Sequence, residues 1–467
     1  MIKYILYNII GVMLIGMISS CKKMLDVPDN LPGQLVTDKV FTDSIGAVNG
    51  VVGIYNQAFI GASPLNGDLS VYPSLSADDI TSSSTYYQPV YNNQLTPGDE
   101  LNKTGSTGNI WNSFYGNTMI YQTNAVMEAL AASKNLSASL KDQLTGECEF
   151  VRALSYFYLT NLYGAVPLAV SPDYTINNRL PRSTSDQVYE QIIKDLTDAS
   201  SRLSVKYPSA GRARPNKYVA IALLSRVYLY REQWKKADSL ASIIISAGPY
   251  SMETLDRVFV AGNNEAIWQG LITGYYSYAT GDGSNFVPYS SGAIPTFTLR
   301  DTLINSFEAG DLRKTQWTAF NTVNGKDYYY PYKYKNLSGR QVNGRVEVQV
   351  PLRLAEQYLI RAEARIQLDN LNGAADDIYA VRVRAGLGKP TVISKDALMA
   401  AIVHERQTEF FCEWGNRWLD LNRWKIVSKT MNAVKPGQWP ADGHAALYPV
   451  SLEQMNLNPG WIQNPGY

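Results

Sequence analysis

The chain is poor in the residues that hydrolytic enzymes most often use. Two histidines stand in 467 residues. His404-Glu405 opens like a zinc-protease motif, but Thr408 occupies the place of the second histidine ligand. There is no G-x-S-x-G elbow, phosphate-binding P-loop, dinucleotide fingerprint or EF-hand loop. Gly386-Leu387-Gly388-Lys389 lacks the rest of a nucleotide motif and reads as a helix C-cap, a place glycine favours. Cysteine occurs three times, at 21, 148 and 412, without metal-ligand spacing. Cys148 and Cys412 sit in helix-like, apolar surroundings and are expected to be buried free thiols. No catalytic residue, metal or cofactor is expected. One sign of charge is not in excess either: 42 Lys and Arg balance 41 Asp and Glu, and no basic block is long enough to hold a polyanion. Nucleic acid is therefore not an expected partner. Phenylalanine is outnumbered, with 12 Phe against 32 Tyr and 9 Trp, and rings with a polar handle suit half-wet surfaces.

What remains is a globular chain, 45% hydrophobic, able to bury a large core in one or two domains. Its densest stretch in charge and tryptophan runs from Ser394 to Lys425 and predicts one long helix. Ser394 would be the N-cap, and Asp396 would place a carboxylate against the unpaired N–H groups of the first turn. Arg406, Phe410, Trp414 and Trp418 recur every four residues on one face, and Glu405, Glu409 and Glu413 on the neighbouring one. The tryptophans imply that part of this charge is buried and paired, with Arg406 and Arg417 in helical reach of the glutamates. Two carboxylate pairs, Asp78-Asp79 and Glu405/Glu409, have the residue types of a glycosidase dyad. The first is expected to be solvated or turn-forming and the second salt-bridged.

Residues 1–20 carry one charge, Lys3, and an apolar run too short to span a membrane, as in a lipoprotein signal peptide. Ile18-Ser19-Ser20-Cys21 resembles a lipobox, so Cys21 is the expected lipidation site and 21–33 a lipid-anchored tether. Phe41 to Tyr55 predicts a first helix with Thr42 as candidate cap. Residues 61–108 are rich in Gly, Ser, Asn and Tyr, too long for an idle connector. Helices are predicted over 111–132 and 136–163, and Thr184-x-x-Gln187 reads as a capping box. Lys217 to Ala247 and Pro351 to Ala385 look like two degenerate tetratricopeptide hairpins, with small residues where helices approach. Between them, helical periodicity fades over 250–350, an expected loop-and-strand insertion entered through a core Trp268.

The run His404-Glu405-Arg406-x-x-Glu409-Phe410-x-x-Glu413-x-Gly415-x-Arg417-Trp418-x-Asp420-Leu421-x-Arg423-Trp424 resembles the C-terminal signature of the SusD/RagB family of outer-membrane nutrient-binding lipoproteins. So do Cys21-Lys22-Lys23-x-Leu25-Asp26, Glu149-x-x-Arg152-Ala153-x-x-Tyr156-Phe157, Asn264-Glu265-Ala266-Ile267-Trp268 and the ending Gln463 to Tyr467. The resemblance implies a mostly α fold: one SusD-like domain over 34–467, a tetratricopeptide-like helical-hairpin scaffold with long loops and an inserted irregular and β subdomain. It also implies a non-enzymatic lipoprotein, lipid-anchored in the outer membrane and facing the cell exterior, that captures oligo- or polysaccharide. The implied partner is a SusC-like TonB-dependent transporter. The family's ligand residues follow no fixed motif. Residue type alone points to Tyr86, Tyr87, Tyr91, Asn92 and Asn93 in the first irregular region, and to Tyr276, Tyr278 and Trp317 in the insertion. A peptide receptor of the same fold and a surface glycosidase are the alternatives.

Overall fold

The computed structural model describes residues 40–59, 63–99, 110–115, 119–272 and 277–467. The expected signal peptide, Cys21 and the tether lie outside them, as does Tyr276. Helices of eight or more residues begin with α1 (Ser44–Phe59) and α2 (Asp68–Ser76). The first is capped by Asp43, whose Oδ1 accepts from the amides of Ile45 at 2.9 Å and Gly46 at 2.8 Å, one residue later than the expected Thr42. The second lies within the stretch expected to be irregular, and all nine of its residues are buried.

The scaffold follows as α3 (Met119–Ala132), α4 (Ala138–Tyr163), α5 (Ser185–Arg202), α6 (Lys217–Tyr230), α7 (Trp234–Ala247), α8 (Leu354–Gln367), α9 (Leu371–Arg382) and α10 (Lys395–Phe410). Each packs against the next, so the stack continues from α7 to α8 across the insertion. Both expected hairpins are present. Ala237 and Ala241 on α7, and Ala374 and Ala375 on α9, are fully buried and let the helices close up. The two hairpins turn in the same way: Glu232 and Asp369 take φ of 54° and 59°. The following amides, Gln233 and Asn370, each bond a carbonyl five residues back at 2.8 Å. The capping box at Thr184 and Gln187 is present, and Gly386 closes its helix in the left-handed conformation.

The insertion leaves through β4 (Ala266–Gly270) and returns through β8 (Gln349–Arg353), which pair antiparallel with Trp268 opposite Leu352. Trp268 is fully buried among Tyr55, Phe59 and Phe150, and its indole N–H donates to the Ala213 carbonyl at 3.0 Å. A second pairing, β1 (Ile80–Ser82) with β5 (Phe297–Leu299), fastens the first loop region to the insertion. β2 (Val166–Pro167) and β3 (Arg182–Ser183) form a short ladder after α4. β6 (Thr318–Val323) and β7 (Lys326–Pro331) form a hairpin closed by Asn324-Gly325, both with positive φ, the preferred chemistry for a two-residue turn.

The predicted single helix over 394–425 is two. Ser394 caps α10 as expected, but the chain turns after Phe410, and α11 (Asn416–Arg423) starts in a new direction. α12 (Val427–Val434) follows. Cys412, Trp414 and Gly415 all have positive φ, and distant partners hold the break. Asp79 accepts from the Cys412 amide at 3.1 Å, Ser70 from the Trp414 amide at 3.3 Å, and the Lys333 ammonium donates to the carbonyls of Glu409 at 2.8 Å and Phe411 at 2.9 Å. A Cβ at Gly415 would sit 3.0 Å from the Pro73 side chain on α2.

The glutamate stripe is buried, but its partners are not Arg406 and Arg417. Arg313 bonds Glu405 at 2.6 Å, Glu409 at 3.0 Å and Asp311 at 2.9 Å. Arg353 bonds Glu413 at 2.9 Å and Glu265 at 3.0 Å, and also Glu409. Arg384 reaches Glu265 and Glu409, and Lys333 reaches Glu413. Burial pushes the Glu409 carboxyl up, but the guanidiniums of Arg384, Arg353 and Arg313 outweigh it and hold the group well below the carboxylate range. Breaking such a network is costly because carboxylates are left buried without counter-ions. Arg353→Met is expected to lower the unfolding free energy by about 3–5 kcal/mol, measured by urea titration. A loss below about 1 kcal/mol would mean that the three glutamates find other partners.

Candidate functional site

The β1–β5 pairing brings the two loop regions together around a cleft of about 450 Å³. One wall carries Tyr91 at the end of the short helix Gln88–Tyr91, with Thr81, Ser82 and Ser83. The other carries Arg300, Asp301 and Thr302 after β5, and Lys326, Asp327, Tyr328 and Tyr329, the first four residues of β7. The Arg300 amide extends the ladder by donating to the Asp79 carbonyl at 2.9 Å. Its guanidinium donates to the Tyr91 hydroxyl at 2.8 Å and lies 5.7 Å from the centre of that ring. On β7, Tyr329 is paired with Phe320 across the hairpin, ring centres 5.1 Å apart, and the Lys326 ammonium is 5.1 Å from the Tyr328 ring.

Lys435 fixes the Tyr91 wall from behind. Its buried ammonium donates to the carbonyls of Leu75 at 2.6 Å, Ser76 at 3.0 Å and Tyr91 at 2.7 Å, and to Asn93 Oδ1 at 3.1 Å. Burial, then the nearby Arg300 guanidinium, draws its pKa well below the ordinary lysine value. A side chain with no donor here would take this partner from the Leu75 and Tyr91 carbonyls, while the Ser76 carbonyl would keep its bond from Asn93. Lys435→Met is therefore expected to cost about 1–3 kcal/mol of stability and to loosen the Tyr91 segment, seen as faster amide exchange over residues 88–93. Unchanged exchange there would show that the ammonium does not hold the wall.

Of the eight residues singled out by type, Tyr91 lines this cleft. Tyr86 is exposed and stacks edge-on against Tyr87, which is half-buried against Phe297 and Tyr72. Asn92 is half-exposed beside them. Asn93 is buried and serves Lys435 and the Ser76 carbonyl, a structural post that corrects its candidacy. Tyr278 is half-buried outside the cleft lining. Trp317 is 1% exposed, its indole N–H bonded to the Leu255 carbonyl at 2.8 Å, so no ligand reaches it and its candidacy is also corrected. Arg300, Lys326 and Tyr328 went unselected. The signal available for the last two was Asn324-Gly325, which marks a hairpin and hence a fixed place for Lys326 to Tyr329.

Neither nominated carboxylate pair faces the cleft. Asp78, expected to be solvated, is buried in a two-point bond to Arg417, 2.7 Å each. Asp79 is 1% exposed, and its Oδ1 has no partner among the described residues. Glu405 and Glu409 belong to the buried network. Burial, then the Asp78 charge, pushes the Asp79 carboxyl up from 3.8 to about 7. A raised carboxyl contributes stability that is complete below its ordinary pKa and lost as pH rises through the folded value. Asp79→Asn removes the buried charge that forms above pH 7. It is expected to raise stability by about 1–3 kcal/mol more at pH 8 than at pH 5. The check is thermal unfolding at both pH values, and an equal shift at both would assign the effect to something other than the charge.

Among the described residues no helix is long and apolar enough to cross a membrane, and no cluster of His, Cys, Asp or Glu is placed to hold a metal ion. The described residues thus form a stack of helical hairpins, with two loop regions joined by the β1–β5 pairing around an open, tyrosine-walled cleft. Residues 49–229 match a family described as starch-binding and associating with the outer membrane, and residues 264–467 match the SusD family. The chain belongs to the SusD/RagB family. It is 24% identical to SusD-like protein P25 of Formosa agariphila, over 98% of this chain and 99% of that one. A SusD superfamily protein from Bacteroides vulgatus superposes with a TM-score of 0.80 at 19% identity, covering 91% of this chain and 100% of the other. A laminarin-binding SusD-like protein superposes with a TM-score of 0.72 at 21% identity, covering 91% and 99%.

Proposed function

We propose that this protein captures oligo- or polysaccharide at the outer face of an outer membrane, without turning it over, and delivers it to a SusC-like TonB-dependent transporter. In this reading residues 1–20 are removed, Cys21 carries the lipid, 21–33 tether the protein, and 34–467 form one binding domain. The observation that carries the reading is the cleft where the two insertions meet. Sugars have apolar C–H faces and a rim of hydroxyls. Tyr91, Tyr328 and Tyr329 offer rings for the faces, and Arg300, Asp301 and Lys326 offer charged partners for the rim. The laminarin-binding relative of the same fold supports a glycan as ligand.

A second reading, a surface glycosidase, keeps one observation in its favour: Asp301 and Asp327 both line the cleft. Retention and hydrolysis are separated by the same experiment. The full chain, in a detergent without sugar head groups, is titrated with laminarin, starch and other polysaccharides and with peptides, while reducing ends are counted. Saturable glycan binding without new reducing ends is expected. Tyr328→Ala should weaken it about tenfold, the size of one lost ring contact, and Tyr379→Ala, on the distant α9, should leave it unchanged. Reducing ends that vanish in Asp327→Asn would establish an enzyme. Binding of peptides alone would establish the peptide receptor.

A further inference from the structure

A second cleft, of about 680 Å³, lies away from the first, between the short helix Ile110–Tyr115, the start of α3, the loop after α4 and the C-terminal segment. Among the described residues its lining has no Asp, Glu, Lys, Arg or His. Instead it gathers five asparagines and a glutamine, with Tyr115, Tyr121, Tyr174 and Trp461 among them. We infer that this cleft is a second glycan subsite, one that takes uncharged sugar units.

The frame of the cleft is built. Asn124, at its floor, accepts from the buried Arg152 guanidinium at 2.7 Å and donates to the carbonyls of Ala169 at 3.1 Å and Ser171 at 3.3 Å, which sets the loop after α4. Arg152 is itself held by Asp195 on α5 at 2.7 Å. Asn177 donates back to the Ser171 carbonyl at 2.8 Å. On the far side the Trp461 indole N–H donates to the Leu180 carbonyl at 2.9 Å, tying the C-terminal segment to the same loop. These bonds fix the walls; Asn458 donates to the Gln454 carbonyl at 3.0 Å and Gln454 to Asn112 at 3.4 Å, so the open contact groups are Asn178 and the tyrosine faces. Tyr174 is 71% exposed and Tyr121 43% exposed. Asn178 is exposed and its carboxamide makes no hydrogen bond among the described residues.

The chemistry selects the ligand class. A carboxamide both donates and accepts, as a hydroxyl does, so the unengaged Asn178 can meet a sugar hydroxyl in either sense. Exposed tyrosine faces cover the C–H faces. A uronate or sulfated unit would find no cation among the described lining residues, whereas the first cleft offers Arg300 and Lys326. A peptide would bring charged termini or side chains with no counter-charge to meet them. Two clefts on one rigid scaffold would let a long chain bind at two points, which strengthens retention without a new contact type.

This assignment rests on the glycan-capture reading, and calorimetry on the full chain separates the two. Neutral hexasaccharides of glucose, mannose and xylose are titrated one at a time, then an oligogalacturonate and a neutral tripeptide. Wild type should bind at least one neutral hexasaccharide at two sites. Tyr174→Ala with Asn178→Ala should remove one site, or weaken it about tenfold, and leave the other unchanged. Both positions are exposed, so folding is not at stake. Tyr328→Ala should weaken the complementary site about tenfold and leave the second unchanged. The second subsite is overturned if the double variant titrates like wild type, if Tyr328→Ala abolishes all binding, or if the site it leaves prefers the galacturonate or the tripeptide. In each of those cases wild type still binds glycan and the capture reading stands. Absence of glycan binding by wild type overturns both.

Discussion

A largely buried network of charges governs how this chain is assembled. Arg313, Lys333, Arg353, Arg382 and Arg384 face Asp311, Glu265, Glu405, Glu409 and Glu413, and at the rim Arg382 also pairs with the exposed Glu308. Such a cluster is a weak source of net stability, because removing each charge from water offsets much of its attraction. Its strength is discrimination. Glu405, Glu409 and Glu413 come from α10 and the turn after it, Glu265 from just before β4, Arg353 from the strand entering α8, Arg382 and Arg384 from the end of α9 and the turn after it, and Arg313 and Lys333 from the insertion. A shift of one turn in any of these segments would leave a carboxylate or guanidinium buried alone, at a cost of several kcal/mol. We propose register selection as the role of the network in this protein, and the loss expected in Arg353→Met measures its strength.

The cleft depends on that register through two short connections. Lys333 follows β7 by two residues, and its ammonium binds Glu413 and the carbonyls at the end of α10. The hairpin bearing Tyr328 therefore hangs from the network. On the other wall, Asp79 and Asp78 meet the turn after α10 and Arg417 on α11, and β1 starts at the next residue. Both walls are set by the same C-terminal segment, although neither belongs to it. The signature stretch thus acts as a joint between the scaffold and its loops and makes no contribution of its own to the cleft lining.

Much of the scaffold was legible because its causes are local. Ser394, Thr184 and Gly386 act within a turn of themselves, and Ala237, Ala241 and Ala374 mark close helix approach wherever the pattern is helical. The break after Phe410 was not legible, since the groups that stabilise it are Asp79, Ser70 and Lys333, more than seventy positions away. The partners of the glutamate stripe were missed for the same reason. In the site, Tyr91 was found from composition, but Trp317 has the same kind of neighbours in sequence and is core. What separates them is the Leu255 carbonyl and Phe259 ring that receive Trp317, a tertiary fact. Arg300 could not be singled out until β5 was known to lie beside β1.

The division of labour between buried charge and exposed polarity also bears on how ligand choice can vary on this fold. Residues of the network are coupled: changing one charge changes the solvation of four or five others, so substitutions there act on folding as a whole. Residues of the two clefts are largely uncoupled. Tyr328 and Lys326 project from a hairpin whose turn and ladder do not need them, and Tyr174 and Asn178 project from a loop held by Asn124, Asn177 and Trp461. The lining can therefore move from charged, as in the first cleft, to neutral, as in the second, without disturbing the frame. On the proposed glycan-capture reading, a coupled buried joint carrying loosely coupled loops would let ligand choice change by substitution in the loops alone.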